Sequence, residues 1–235
     1  MAVSLQNLAV RAPAEHDQQA IKSLLSACDL AEGNKEGTTE EDLSPAWQQP
    51  EYQMQTDAWV IVARSGQLVG YACVWHRAFA QIEACARVHP AFRGRGIGTL
   101  LLRLVEVRGR QFAARASSGP RVCLGHTVSM VNTAACQLLE REGYTRARLF
   151  WRIVVHAGES FDELCRRGSL TFDLLIDPQD LAGSTRLNER GGYTLTQYGM
   201  YEKELRAPEG GYGEVDLDLQ ALLIEPAPCT GGAGL

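Results

Sequence analysis

Between Ala14 and Cys28 the apolar residues Ala20, Ile21, Leu24, Leu25 and Cys28 fall three and four apart, the spacing of a helix that buries one stripe. Leu8 to Arg11, just before it, reads as a short strand. Further on, Ala58 to Ala63 and Leu68 to His76 are apolar runs joined by the turn Arg64-Ser-Gly-Gln, which predicts a hairpin. Phe79 to Val88 continues as a third strand and stops at Pro90, which has no N–H to give a ladder. Helical spacing returns at Leu100, Leu101, Leu104, Val105 and Phe112. After it come a strand over Arg121 to Val128, a helix over Asn132 to Glu142 closed by Gly143, and a strand over Tyr144 to His156. Thr39-Glu-Glu-Asp42 predicts one more capped helix start, limited by Pro45 and Pro50. This order implies a mixed α/β fold with helices packed on a sheet.

Beyond residue 157 the pattern weakens. Leu170 to Ile176 and Tyr193 to Arg206 are strand-like, Pro178 to Arg190 has helical character, and an acidic, Gly- and Pro-containing tail begins at Ala207. Glu-Arg-Glu-Gly-Tyr-Thr at 140–145 recurs as Glu-Arg-Gly-Gly-Tyr-Thr at 189–194, a single echo that suggests a partial duplication. Three segments are therefore expected: a domain over 1–156, a strand-helix-strand unit over 157–206, and a tail over 207–235. Charge follows the same division, with 17 basic and 14 acidic side chains before residue 157 and 6 and 14 after it. Neither part is basic enough for binding to nucleic acid through its phosphates.

Seven cysteines, with no Cys-x-x-Cys pair, suit reduced thiols in a cytoplasmic protein better than a disulfide framework or a zinc site. His76 and His89 lack metal-ligand spacing with any nearby Cys or acid, so no metal is expected. The amino-terminal residues lack the basic start and apolar run of a signal peptide, and no stretch of about 18 apolar residues occurs. No membrane partner is expected.

The segment richest in chemistry is Val88-His-Pro-Ala-Phe-Arg-Gly-Arg-Gly-Ile-Gly-Thr99, a strand end, a glycine-rich turn and a helix start. Glycines let backbone N–H groups turn toward a ligand, and the positive end of the helix dipole favours an anion there. Arg93 and Arg95 can add charge, so a pyrophosphate would suit the turn. A dinucleotide fingerprint starting at Gly94 would need glycine where Thr99 stands, and no Gly-Lys-Ser/Thr phosphate loop is present. Both nucleotide readings fail.

The spacing Arg93, Gly96, Gly98 after a Val-x-Pro strand end resembles the R-x-x-G-x-G turn of the GNAT superfamily of acyl-CoA-dependent N-acetyltransferases, over about residues 5 to 156. Asn132, Ala135, Leu138 and Gly143-Tyr144 are similar to that superfamily's second element. The resemblance implies a GNAT fold with a mixed, mostly antiparallel sheet, and acetyl-CoA as co-substrate. It also implies a CoA site made of Val88, Arg93, Gly94, Arg95, Gly96, Ile97, Gly98, Thr99, Asn132 and Ala135. The turn amides would grip the pyrophosphate, while the strand ending at Val88 and Asn132 would meet the pantetheine arm. The echo at 180–193 looks similar to the back half of a second such domain, as in the tandem mycothiol synthases, but lacks a glycine-arginine turn.

The implied reaction is direct transfer of an acetyl group to a primary amine, on a small molecule or a peptide. The alternative is a degenerate GNAT module that binds CoA or a partner without turnover. Glu83, on the strand leading to the turn, is the candidate general base, although the position that usually carries it falls at Ile82. A strand bulge could restore the register. The usual acid, a Tyr seven residues after the Asn, is replaced by Leu139, which leaves Cys136, Ser129 and His126 as candidates. Strand edges left open by the unfinished unit would suit pairing with a second copy, a homodimer.

Overall fold

The computed structural model describes residues 8–33, 51–77, 81–116, 121–155, 170–174 and 193–205. The predicted helix start Thr39-Glu-Glu-Asp42, the helix over 178–190 and the tail lie outside those residues. The described strands are β1 (Leu8–Arg11), β2 (Ala58–Ala63), β3 (Leu68–Arg77), β4 (Gln81–Val88), β5 (Cys123–Ser129), β6 (Thr145–Val155), β7 (Leu170–Leu174) and β8 (Tyr193–Glu204). Among the described residues four α-helices accompany them: α1 (Gln18–Ala31), the single turn α2 (Met54–Asp57), α3 (Ile97–Ala113) and α4 (Thr133–Arg141).

All eight strands form one sheet in the order β1-β2-β3-β4-β5-β8-β6-β7. The pairs are antiparallel except β4 with β5. Side chains alternate across a strand, and each face is covered by a different helix. Ile61, Val69, Val74, Ile82 and Ala84 pack beneath Ile97, Leu101 and Val105 of α3. On the opposite face Val60, Tyr71 and Cys73 meet Ile21, Leu24, Leu25 and Cys28 of α1. Helix α1 thus buries Ile21, Leu24, Leu25 and Cys28 of the predicted stripe while Ala20 is exposed, and it runs to Ala31, past Cys28, which makes Glu32 its C-cap.

The carboxy-terminal strand β8 lies between β5 and β6, hydrogen-bonded to both. Tyr198, Tyr201 and Leu205 are buried there. Lys203 reaches Glu106 of α3 at 2.8 Å and the Glu142 carbonyl at 3.0 Å. The period-two pattern of 193–206 predicts a strand, but a strand's pattern carries no record of its neighbours. An aromatic-rich segment with two edges to satisfy is most stable in the middle of a sheet, and the chain returns there after β7.

A buried ion pair ties α3 to the segment before β2. Arg108 Nε donates to Asp57 Oδ1 at 2.8 Å, and the same carboxylate accepts from Gln53 N at 2.8 Å and Thr56 Oγ1 at 3.0 Å. Replacing Asp57 by Ala leaves a half-buried guanidinium without its partner. We expect a loss of about 3 kcal/mol or more in unfolding free energy, measured by urea denaturation; a loss under about 1 kcal/mol would show that water replaces the pair.

Candidate functional site

The parallel pair β4 and β5 is in register only from Gln81↔Cys123 to Ala84↔His126. Beyond it β4 keeps β3 as a partner as far as Val88↔Gly70, and β5 keeps β8 as far as Ser129↔Tyr198. The two strands therefore part on their inner edges while staying bonded outside, and a V-shaped gap opens between them. His89 N donates to Val69 O at 2.9 Å, so the odd-numbered residues of β4 face the β3 ladder. The N–H and C=O groups of Ala86 and Val88 then point into the gap.

The glycine-rich turn stands at the wide end of this gap. Pro90 ends β4, a 3₁₀ turn over Pro90–Phe92 follows, and α3 begins at Ile97 behind the N-cap Gly96. Gly94 and Gly96 have φ of 77° and 81°, the left-handed region that only glycine enters without strain. No backbone carbonyl among the described residues accepts from the N–H groups of Gly94, Arg95 or Gly96. With the free first-turn N–H groups of Ile97, Gly98 and Thr99, they make a nest of donors that suits an anion. Gly98 serves packing as well, because a Cβ on it would lie 2.9 Å from Leu138 Cδ2 on α4.

The two arginines of the turn are used differently. Arg95 lies at the surface, its guanidinium 4.7 Å from the Phe92 ring centroid, with one terminal nitrogen donating to Ala91 O at 3.3 Å. Arg93 turns inward, with Nε 3.4 Å from Val88 O and one terminal nitrogen 3.3 Å from Glu32 Oε1. Across the gap, Asn132 caps α4 by accepting from Ala135 N at 3.1 Å and donates its Nδ2 to the same Glu32 oxygen at 2.7 Å. The cap and the candidate site residue are thus one side chain.

Glu83 lies one residue before the last β4–β5 pair, opposite Trp75 and beside Gly125. The β3–β4 register runs without a bulge, so Glu83 shares the α1 face with Cys85 and Arg87, while Ile82 is buried under α3. The Glu83 carboxylate makes no hydrogen bond or ion pair among the described residues. The candidate acids fare worse. Leu139 and Cys136 are core residues. Burial pushes His126 down to about 3, which leaves a neutral imidazole with no proton to spare near pH 7. Tyr144 packs edge-on to His126 at 5.1 Å, and burial raises its phenol above the ordinary range. The buried Ser129 hydroxyl has no hydrogen-bond partner among the described residues.

The sequence reading misses Glu32, Cys28 and the cross-strand pair Cys73↔Cys85. Cys28 Sγ lies 3.3 Å from Val88 O, and burial pushes its thiol up to about 11, so it remains a donor. The Cys85 thiol is drawn below the usual thiol range, first by hydrogen bonding from Cys73 and then by the Arg87 guanidinium. Helical spacing could have flagged Glu32, one turn after Cys28 on the buried stripe, but nothing local names its partners.

Among the described residues no helix is long and apolar enough to cross a membrane, and no group of three or more His, Cys, Asp or Glu could hold a metal.

Residues 20–144 match the family model described as the acetyltransferase (GNAT) family. No curated protein sequence matches the chain. Among solved structures, a GCN5-related N-acetyltransferase from Sphaerobacter thermophilus is 19% identical with a TM-score of 0.67, over 86% of this chain and 96% of that one. An N-acetyltransferase from Staphylococcus aureus Mu50 is 18% identical with a TM-score of 0.52, over 86% and 100%. A phosphinothricin acetyltransferase of Sinorhizobium meliloti, solved in complex with AcCoA, is 15% identical with a TM-score of 0.52, over 89% and 98%. At such identities the likeness is one of fold.

Proposed function

The chain belongs to the acetyltransferase (GNAT) family, and from that premise we propose that it moves an acetyl group directly from acetyl-CoA to a primary amine on a small molecule or a peptide. The observation that carries this reading is the gap between β4 and β5, with a nest of unclaimed N–H groups at its wide end. Gly94, Arg95, Gly96, Ile97, Gly98 and Thr99 would hold the pyrophosphate, with Arg95 adding charge from the surface. The backbone of Ala86 and Val88 and the amide of Asn132 would hold the pantetheine arm, and Ala135 would line it beside Asn132. Acetyl-CoA supplies an activated thioester.

What the protein contributes is placement and a proton acceptor. Holding amine and thioester together is worth effective molarities of about 10⁵ M or more. Glu83 faces the α1 layer at the narrow end of the gap, where it would take the ammonium proton through water. A thiol with pKa near 8.5 is a good leaving group, so transfer does not require an acid in the place of Leu139. No covalent enzyme intermediate is needed.

The test is to incubate the protein with acetyl-CoA and a panel of small-molecule and peptide amines and to follow free thiol. Amine-dependent thiol release is expected. CoA binding without release for any amine would favour a binding module instead, an outcome that the core position of Leu139 would then explain.

A further inference from the structure

A carboxylate at the C-terminal end of a helix meets the negative end of the dipole, and one removed from water is costly unless paired. Glu32 has both disadvantages: it caps α1 at its C-terminus and is 5% exposed. Its Oε1 accepts from Asn132 Nδ2 at 2.7 Å and from Arg93 at 3.3 Å. Arg93 follows β4 and Asn132 follows β5, so one oxygen from α1 joins the two sides of the gap. The chain of contacts continues outward at both ends. Arg93 Nε reaches Val88 O at 3.4 Å, and Asn132 Oδ1 takes the Ala135 N–H at 3.1 Å.

We infer that Glu32 is a positioning residue for acetyl-CoA: by holding Arg93 inward and orienting the Asn132 amide, it sets the spacing between the end of β4 and the start of α4 and so the affinity for the cofactor. The inference rests on the function proposed above. Two consequences follow from the geometry. The Asn132 amide has one orientation that serves both Glu32 and the cap, because its oxygen is committed to Ala135 N and its nitrogen to the carboxylate. Arg93 stays folded against the turn, donating to Val88 O and to Glu32. Helix α1 covers the face that carries Glu83, so the same carboxylate links that face to the cofactor turn. A substitution at Glu32 acts through Arg93 and Asn132, and its mark is on binding more than on turnover.

The experiment measures CoA-induced thermal stabilisation together with kcat and KM for acetyl-CoA in the parent, Glu32→Ala, Glu32→Gln, Asn132→Asp, and Glu32→Gln combined with Asn132→Asp. Expected for Glu32→Ala is a KM at least about tenfold higher, with kcat at saturation changed less than threefold. Glu32→Gln keeps an acceptor oxygen and should fall between Ala and the parent. The double variant exchanges donor and acceptor, keeps a capping oxygen at position 132, and should recover most of the loss seen for Asn132→Asp alone. If Glu32→Ala does not fold, the Gln variant and the exchange carry the comparison. A parent protein that CoA does not stabilise overturns the functional reading and this inference with it. A parent that responds to CoA, beside Glu32 variants that bind it within twofold of the parent, overturns the inference alone and leaves Glu32 as a packing residue. Failure of the exchange to recover binding would likewise sink the direct link to Asn132.

Discussion

Replacing Gly96 by Val is expected to abolish the thermal stabilisation that CoA confers on the parent protein. A ligand at 100 times its dissociation constant adds about 2.7 kcal/mol to the folded state, which for a chain of this size raises the melting temperature by about 5–10 °C. Gly96 is the N-cap of α3 with φ 81° and ψ −1°, a region that a β-branched residue avoids at a cost of 1–2 kcal/mol or more, as an order of magnitude. To relieve that strain the turn must rotate, and the N–H groups of Gly94, Arg95 and Gly96 then no longer converge. Gly66, in the turn between β2 and β3, has a similar φ of 83° and serves as the control. Gly66→Val should lower the melting temperature of the free protein while leaving the CoA response intact. A folded Gly96→Val variant with the parent's full response would mean that the anion binds elsewhere.

Glu83→Gln is expected to lower kcat by about 10² to 10⁴ while CoA affinity is preserved. A primary alkylamine has a pKa near 10.4 and is mostly protonated at neutral pH, so its attack needs a proton acceptor. The structure narrows the choice of acceptor. Ile82, at the customary position, is buried beneath α3, and His126 lies on that same face with its basicity suppressed by burial. Glu83 lies on the opposite face, without an ion pair or hydrogen bond among the described residues, at the point where β4 and β5 begin to part. The pH-rate profiles of the parent and the Gln variant decide the matter. The parent's acidic limb should steepen or shift in the variant, whose rate should follow only the free-amine fraction of the acceptor. Equal turnover with the same acidic limb would remove Glu83 from the mechanism and point to solvent or a main-chain carbonyl.

The absence of a bulge in β4 matters for that assignment. With a bulge before Val88, Ile82 would have changed faces. The unbroken register from Gly70↔Val88 to Arg77↔Gln81 instead leaves Glu83, Cys85 and Arg87 together under α1. A one-residue offset in sequence is therefore a real change of position for the carboxylate. The neighbouring thiol pair Cys73↔Cys85 is a second product of that register.

Local pattern was enough for β1, β2 and the helix stripes of α1 and α3, because burial of one face at period 3.6 or 2 is written into consecutive residues. It was enough, too, for the glycine-arginine turn, whose chemistry comes from backbone freedom within a few residues: Gly94 and Gly96 enter the left-handed region where the spacing predicts a tight turn. Tertiary structure alone decided three things. It put β8 between β5 and β6, neighbours that its own residues do not name. It showed that Arg93 faces inward while Arg95 stays at the surface. It also brought Glu32 to Arg93 and Asn132, across separations of 61 and 100 residues. These are consequences of pairing and burial between distant segments, and a hydrophobic pattern states only that a face must be covered, not which part of the chain will cover it.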